Sequence, residues 1–247
     1  MFAFEIWSKF ASFRDPLTIS QNISLPIPPK TTVAGMMASI LGIESYFEDD
    51  IFRDFEYTVI TLDSIRKKSF SQNYINDYTS KVKTHLNSLK KADYDKIGVG
   101  FRDKKNPQKP INRELLLNPR YLIFIKDFKY EEKITSYLKE KVSKFPFYLG
   151  NSEFAGNFKW VEILNSKESK LQEILVDSFI LDSDVKNIDF NREGIRYSTI
   201  DFATLLNRDR TPIGSASVII GSQPILVKNI TVYKVECRDK NYYCRFL

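Results

Sequence analysis

Metal-binding side chains are scarce in this sequence. One histidine, His85, and two cysteines, Cys237 and Cys244 with six residues between them, are all that its 247 residues contain. Four zinc ligands of the usual types cannot be assembled from that set. No H-E-x-x-H motif is present, and Asp49 and Asp50 adjoin in sequence, where neighbours rarely converge on one ion. No metal and no cofactor is expected. A disulfide is disfavoured in a reducing cytosol, so the cysteines read as free thiols on a terminal strand. Long apolar runs are missing as well: none approaches a membrane span, and no membrane partner is expected. The start, MFAFEIWSKF, carries Glu5 and lacks the apolar run and cleavage site of a signal peptide, which reads as a cytoplasmic protein. The G-x-x-x-x-G-K-[ST] phosphate loop is absent, and so are internal repeats and low-complexity tracts.

What is present is charge of one sign, gathered in one place. Hydrophobic residues make up an ordinary 43 % and the net charge is +6. From Arg66 to Arg113, 13 Lys or Arg face 4 Asp, so this 48-residue segment holds +9 and the rest of the chain −3. Packing gives no reason to collect like charges, whereas a bound polyanion offsets their repulsion. The plainer alternative is a solvated lysine-rich loop.

Residues 2–8 alternate, with Phe2, Phe4 and Ile6 on one face, which predicts a strand that FRDP (13–16) ends. After Pro28 and Pro29, Thr31 or Thr32 is expected to cap a helix whose buried stripe is Val33, Met36, Met37, Ile40 and Leu41, stopped by Gly42. Ala34, Gly35 and Ala38 leave that helix nearly bare, open to another backbone or a ligand. Residues 57–65 and 119–127 read as strands. Residues 131–144 read as a helix with Ile134, Tyr137, Leu138 and Val142 inward, stopped by Pro146. Further strand-like runs are 158–163, 178–181, 195–200, 217–220, 225–236 and 242–246. The fold class is therefore α+β. Without the basic insertion the order is βαββαβ, the ferredoxin-like plan, which the RNA-recognition domain uses to present its sheet to RNA. The expected domains are 1–165, with a thumb insertion over 66–115, and a β-rich region over 166–247 packed on the first.

Three pieces have the chemistry for a nucleic-acid site. The insertion interleaves Arg66, Lys67, Lys68, Lys90, Lys91, Arg102, Lys104 and Lys105 with Phe70, Tyr74, Tyr78, Tyr94 and Phe101. Cations track phosphates and rings stack on bases, although the rings equally suit a small core of the thumb itself. The helix start IPPKTTVAGMM (27–37) sets Lys30 and Thr32 beside free backbone N–H groups, a phosphate-holding arrangement or an ordinary capped helix. In FPFYLGNSEFAGNF (145–158), Gly150 and Gly156 permit sharp turns that present Tyr148, Asn151 and Ser152.

In this order FRDP, SLPIPPKTTVAGMMASILGI, INRELLLNPRYLIFI and FPFYLGNSEFAGNF resemble the CRISPR-associated family called Cas-five, of the RAMP group of RNA-binding proteins, over roughly residues 1–160. Gly214 and Gly221 match the group's glycine-rich loop only loosely. The resemblance implies a non-catalytic subunit of a type I Cascade effector, most like the I-B or I-A branches. Such a subunit grips the 5′ handle of the CRISPR RNA and closes one end of the backbone filament. The implied partners are that handle, the backbone subunit, the large subunit and, through the complex, target DNA. The insertion and the matching motifs together give an RNA-contact set of Arg14, Lys30, Thr31, Thr32, Gly35, Arg66, Lys67, Lys68, Arg102, Lys104, Lys105, Arg113, Tyr148, Asn151 and Ser152. Charge reversal at Lys67, Lys68, Lys104 and Lys105 is expected to weaken RNA binding and spare the fold. In the type I-C branch the corresponding protein cuts precursor RNA without metal. The alternative is thus an endoribonuclease, with His85 as its catalytic residue near Lys81 and Lys83, joined by Tyr74 or Tyr78. A third reading has the insertion contact an acidic protein.

Overall fold

A computed structural model of the chain describes residues 1–15, 18, 21–45, 52–75, 80–96, 108–207, 209 and 211–247. In chain order these form β1 (Phe2–Trp7), β2 (Phe10–Ala11), β3 (Phe13–Arg14), β4 (Gln21–Asn22), β5 (Ser24–Leu25) and α1 (Lys30–Leu41). Then come β6 (Glu56–Thr61), β7 (Arg66–Ile75), α2 (Ser80–Lys90), β8 (Gln108–Leu117), β9 (Arg120–Lys126) and α3 (Glu131–Glu140). The remainder is β10 (Asn157–Val161), β11 (Ile163–Val176), β12 (Ile180–Leu181), β13 (Tyr197–Leu206), β14 (Pro212–Gly221), β15 (Ile225–Cys237) and β16 (Asn241–Cys244). The chain is thus mixed α/β, with many strands and few helices among the described residues.

The central sheet runs β10-β1-β9-β6, and every neighbouring pair is antiparallel. Its two faces have different covers. Phe2, Phe4, Ile6, Tyr121, Ile123 and Ile125 share one core with α1 and with Ile134 and Leu138 of α3. Ala3, Ile60, Leu122 and Phe124, which have the opposite parity, pack against Val235, Cys237, Cys244 and Phe246. Burial on both sides explains why YLIFI in β9 is a continuous apolar run instead of an alternating one. It also removes the RNA-recognition mode expected from the strand and helix order. That mode needs an open sheet face, and here the C-terminal strands occupy it.

Helix α1 buries the expected stripe, with Val33, Met37 and Ile40 fully inaccessible and Met36 and Leu41 nearly so. At about 2 kcal/mol per buried aliphatic side chain, this stripe outweighs the cost of the helix's glycine. Gly42 ends it in the left-handed region at φ 78°. Its start differs from expectation. The helix begins at Lys30 with Pro29 as the N-cap, and no side chain caps it. Thr31 and Thr32 lie inside the first turn, where the Thr32 and Val33 amides donate to the Pro29 carbonyl. Proline fixes an extended N-cap conformation, so a threonine cap is not needed. Helix α3 stops earlier than the proline signal suggests. Lys141 turns left-handed at φ 57°, and its amide donates to the carbonyls of Leu138 and Tyr137. Val142, expected inward, is 39 % exposed as a result, and Pro146 lies beyond a helix already closed.

The C-terminal strands form two further sheets, β11-β15-β16 and β12-β14-β13. Ile200, Phe202 and Val218 of the β13–β14 hairpin join the first core, so its packing runs through both parts of the chain. Strand β11, with the sequence ILNSKESKLQEILV, forms without a strand-like pattern of side chains. It is held by a ladder to β15 that runs from Val176 opposite Ile225 to Ile163 opposite Cys237. Both cysteines are free and buried. Burial raises the Cys237 thiol to about 11 and raises the Cys244 thiol as well.

Candidate nucleic-acid interface

The basic insertion is a long antiparallel ribbon, β7 against β8, from Arg66 opposite Leu117 to Ile75 opposite Gln108. Helix α2 follows β7. Directly opposed residues share a face, so the ribbon has two chemically distinct sides. One side carries Arg66, Lys68 and Phe70 with Leu115 and Arg113. The other carries Lys67 and Ser69 with Leu116 and Glu114.

The free edge of β8 is covered at the ribbon's base. Phe10 and Ala11 of β2 pair with Leu117 and Leu116, and Gln21 and Asn22 of β4 pair with Asn112 and Arg113. Strand β3 crosses beside them on β5, with Arg14 opposite Ser24. Lys67 is tied into this base. Its Nζ lies 2.6 Å from Glu114 Oε1 and donates to the Ser24 carbonyl at 2.8 Å. Glu114 in turn accepts the Ser24 amide at 3.3 Å. Lys67 is therefore a bracket between ribbon and body, not a projecting cation. The expected indifference of the fold to its reversal is corrected on that ground.

Arg113 is held more deeply. Only 8 % of it is exposed. Its guanidinium meets Glu153 at 2.5 Å, donates to Gln72 Oε1 at 3.1 Å and lies 5.5 Å from the centroid of the Phe154 ring. Glu153 and Phe154 belong to the 147–156 turn, which closes on itself through Leu149 N–H to Phe154 O at 3.0 Å and Gly156 N–H to Phe147 O at 3.0 Å. Gly150, at φ 87°, lets the turn press on the N-terminal segment, since a Cβ there would sit 1.9 Å from the Ser12 carbonyl oxygen. The ribbon base, the FRDP strand and this turn thus form one contiguous cluster. Tyr148 (41 %) is exposed on it, Ser152 is exposed and Asn151 is half-buried.

Arg14, Arg66 and Lys68 are exposed, and among the described residues they make no ion pair. The helix start has different company. Lys30 lies 4.9 Å over the Phe55 ring, and burial lowers its ammonium below the usual lysine range, opposed by Asp54 and Glu56. Thr31 lines a small cavity with Ala34, Phe52 and Arg53 against Thr204 to Leu206 of β13. Thr32 and Gly35 are half-buried on α1. Contacts of the α1 start are with this aromatic and acidic surround, whereas those of the ribbon base are with the 147–156 turn. Arg102, Lys104, Lys105, Tyr78, Phe101, Asp49 and Asp50 lie outside the described residues. His85 falls on α2, and its side chain, like those of Lys81 and Tyr74, is outside the described part of the chain. No group of side chains able to hold a metal ion occurs among the described residues. Sequence reasoning misses the anchors Gln72, Glu114, Glu153 and Phe154; of these, Glu114 alone carries a sequence signal, as an acidic residue next to Arg113.

Residues 1–211 match the family described as CRISPR-associated protein (Cas_Cas5). The chain belongs to the CRISPR-associated Cas5 family. Among solved structures, this Cas5-family chain is similar to one from a "CRISPR RNA-guided surveillance complex", with a TM-score of 0.53 at 10 % identity over 91 % of this chain and 90 % of that one. A second similar chain comes from the type III-B Cmr-beta complex bound to cognate target RNA and AMPPnP, with a TM-score of 0.48 at 16 % identity, covering 92 % and 86 %. The first of these shows a shared fold. No curated protein matches. No helix among the described residues is long and apolar enough to cross a membrane.

Proposed function

We propose that this chain is the guide-RNA-binding subunit of a type I CRISPR effector complex. It holds the 5′ handle of the CRISPR RNA and caps the backbone filament without cleaving RNA. The observation that carries the reading is the β7–β8 ribbon. Its base is clamped by Arg113 on Glu153 and Lys67 on Glu114, while Arg66, Lys68 and Phe70 stay exposed on the ribbon and Tyr148 and Ser152 stay exposed on the turn that holds Arg113. Clamped anchors fix where the exposed cations stand, and cations next to rings suit a single-stranded ribose-phosphate chain. Family membership and the fold shared with a surveillance-complex chain support the same conclusion. The central sheet bears on the fold alone. Its order β10-β1-β9-β6 with α1 and α3 on one face fits a ferredoxin-like βαββαβ domain over 1–165, on which the β-rich region 166–247 packs. The backbone and large subunits, and through them target DNA, are the partners this role requires.

The test is a binding titration of the purified chain with handle-bearing CRISPR RNA at several salt concentrations. Affinity is expected to fall steeply with salt, and to fall for RNA lacking the handle. Replacing Arg66 and Lys68 together by Glu is expected to flatten the log–log salt slope by roughly 1.4, about 0.7 for each phosphate no longer neutralised. Repeat RNA incubated with the chain, without divalent metal, is expected to stay whole. Affinity indifferent to salt contradicts RNA binding, and clean cleavage that disappears in His85→Ala contradicts the non-catalytic role.

A further inference from the structure

Beside the central sheet lies a groove of about 1370 Å³, distinct from the ribbon base. Val59, Ile60, Thr61 and Leu62 line one wall and Ser198, Thr199, Ile200 and Asp201 another. Consecutive residues of a strand line a cavity together only along its edge, because a sheet face offers every second side chain. Both are edges: β6 ends the central sheet and β13 ends its own. Which backbone groups of β6 point into the gap follows from its partners. Tyr57 exchanges both backbone hydrogen bonds with Leu247, at 3.0 and 3.1 Å, on the side away from β9. The Leu62 amide donates to Arg120, on the β9 side. Strand alternation therefore aims the N–H and C=O of Val59 and Thr61 outward. Leu247 occupies the first outward rung, and the next two have no partner among the described residues.

Unpaired edge groups inside a roomy groove are a template for another strand. The geometry points to a docking slot in which an extended, net-basic segment of a partner polypeptide continues the ladder that Leu247 begins on β6. The walls select a polypeptide over a nucleic acid. Lys67 is paired with Glu114 and Lys240 with Asp177, and of the other charged residues lining the groove Asp15, Asp63 and Asp201 are acidic and Arg196 is basic. That balance repels phosphates and favours a segment with Lys or Arg near Asp63 and Asp201.

The inference goes beyond RNA binding, and its test is separate from that of the guide-RNA reading. The full chain is mixed with the capped peptide Lys-Val-Thr-Val-Lys-Val-Thr-Lys, and backbone amide exchange is followed at Val59 and Thr61. Saturating peptide is expected to slow both at least tenfold, and the counterpart with Glu for Lys to bind at least tenfold more weakly. Thr61→Pro removes one outward N–H and places a ring on the edge, while the β6–β9 bonds remain. It is expected to abolish peptide protection and leave RNA affinity unchanged. Asp63→Lys with Asp201→Lys, which alters no backbone group, is expected to lose the preference for the basic peptide. Any of four results overturns the inference: no protection, equal protection by the acidic peptide, protection by CRISPR RNA instead, or protection that rises with protein concentration alone, which marks a second copy of the chain.

Discussion

Arg113 shares the sign of its neighbours on the ribbon and none of their exposure. Sequence alone places it with the RNA contacts, since a cation between Lys109 and the hydrophobic run to Ile125 looks like part of the basic segment. Its partners, Glu153 and Phe154, lie forty and forty-one positions away, and only folding makes them neighbours. A comparable separation hides Glu114 as the partner of Lys67. Arg113→Ala is expected to cost about 1.5–3 kcal/mol in a denaturant titration, because it removes hydrogen bonds to a charged group and leaves Gln72 unpaired. Glu153→Ala is expected to cost less, since that side chain is 60 % exposed and water screens the charge left behind.

The ribbon as an element divides by face. Lys67→Glu sets a second carboxylate against Glu114 and is expected to lower stability by about 1 kcal/mol or more, whereas Lys68→Glu is expected to stay within about 0.5 kcal/mol of the parent. Thermal unfolding of the two variants, measured beside RNA affinity, separates an anchoring cation from a contacting one. Much of the remaining element structure is legible in the sequence. β1, α1 and α3 announce themselves through periods of 2 and 3.6, because each buries a face, and β6 and β9 through β-branched and apolar runs. Strand β11 does not. Its run of Lys, Glu and Ser faces solvent over most of its length, and backbone pairing with β15 decides its conformation. The end of α3 is hard to place for a related reason. Lys141 adopts a left-handed cap that its residue type does not advertise.

At the scale of the whole molecule, one core joins the N-terminal sheet, α1, α3 and the β13–β14 hairpin. The two proposed parts, 1–165 and 166–247, therefore stabilise one another across buried aromatic contacts such as Tyr57 with Phe179 and Phe202, at 5.7 and 6.4 Å between ring centroids. Calorimetry is expected to give a single cooperative transition whose van't Hoff and calorimetric enthalpies agree; two separated transitions would show parts that melt alone.

The order of the central sheet also sets a timetable for biosynthesis. Strand β1 is made first, yet its partners are β9 and β10, whose pairings join Phe2 to Ile125 and Trp7 to Asn157. At about 5–20 residues per second, a ribosome needs roughly ten seconds to deliver the first of those partners. Throughout that wait Phe2, Phe4 and Ile6 hang uncovered from the nascent chain, which makes the opening strand a natural client for a holding chaperone.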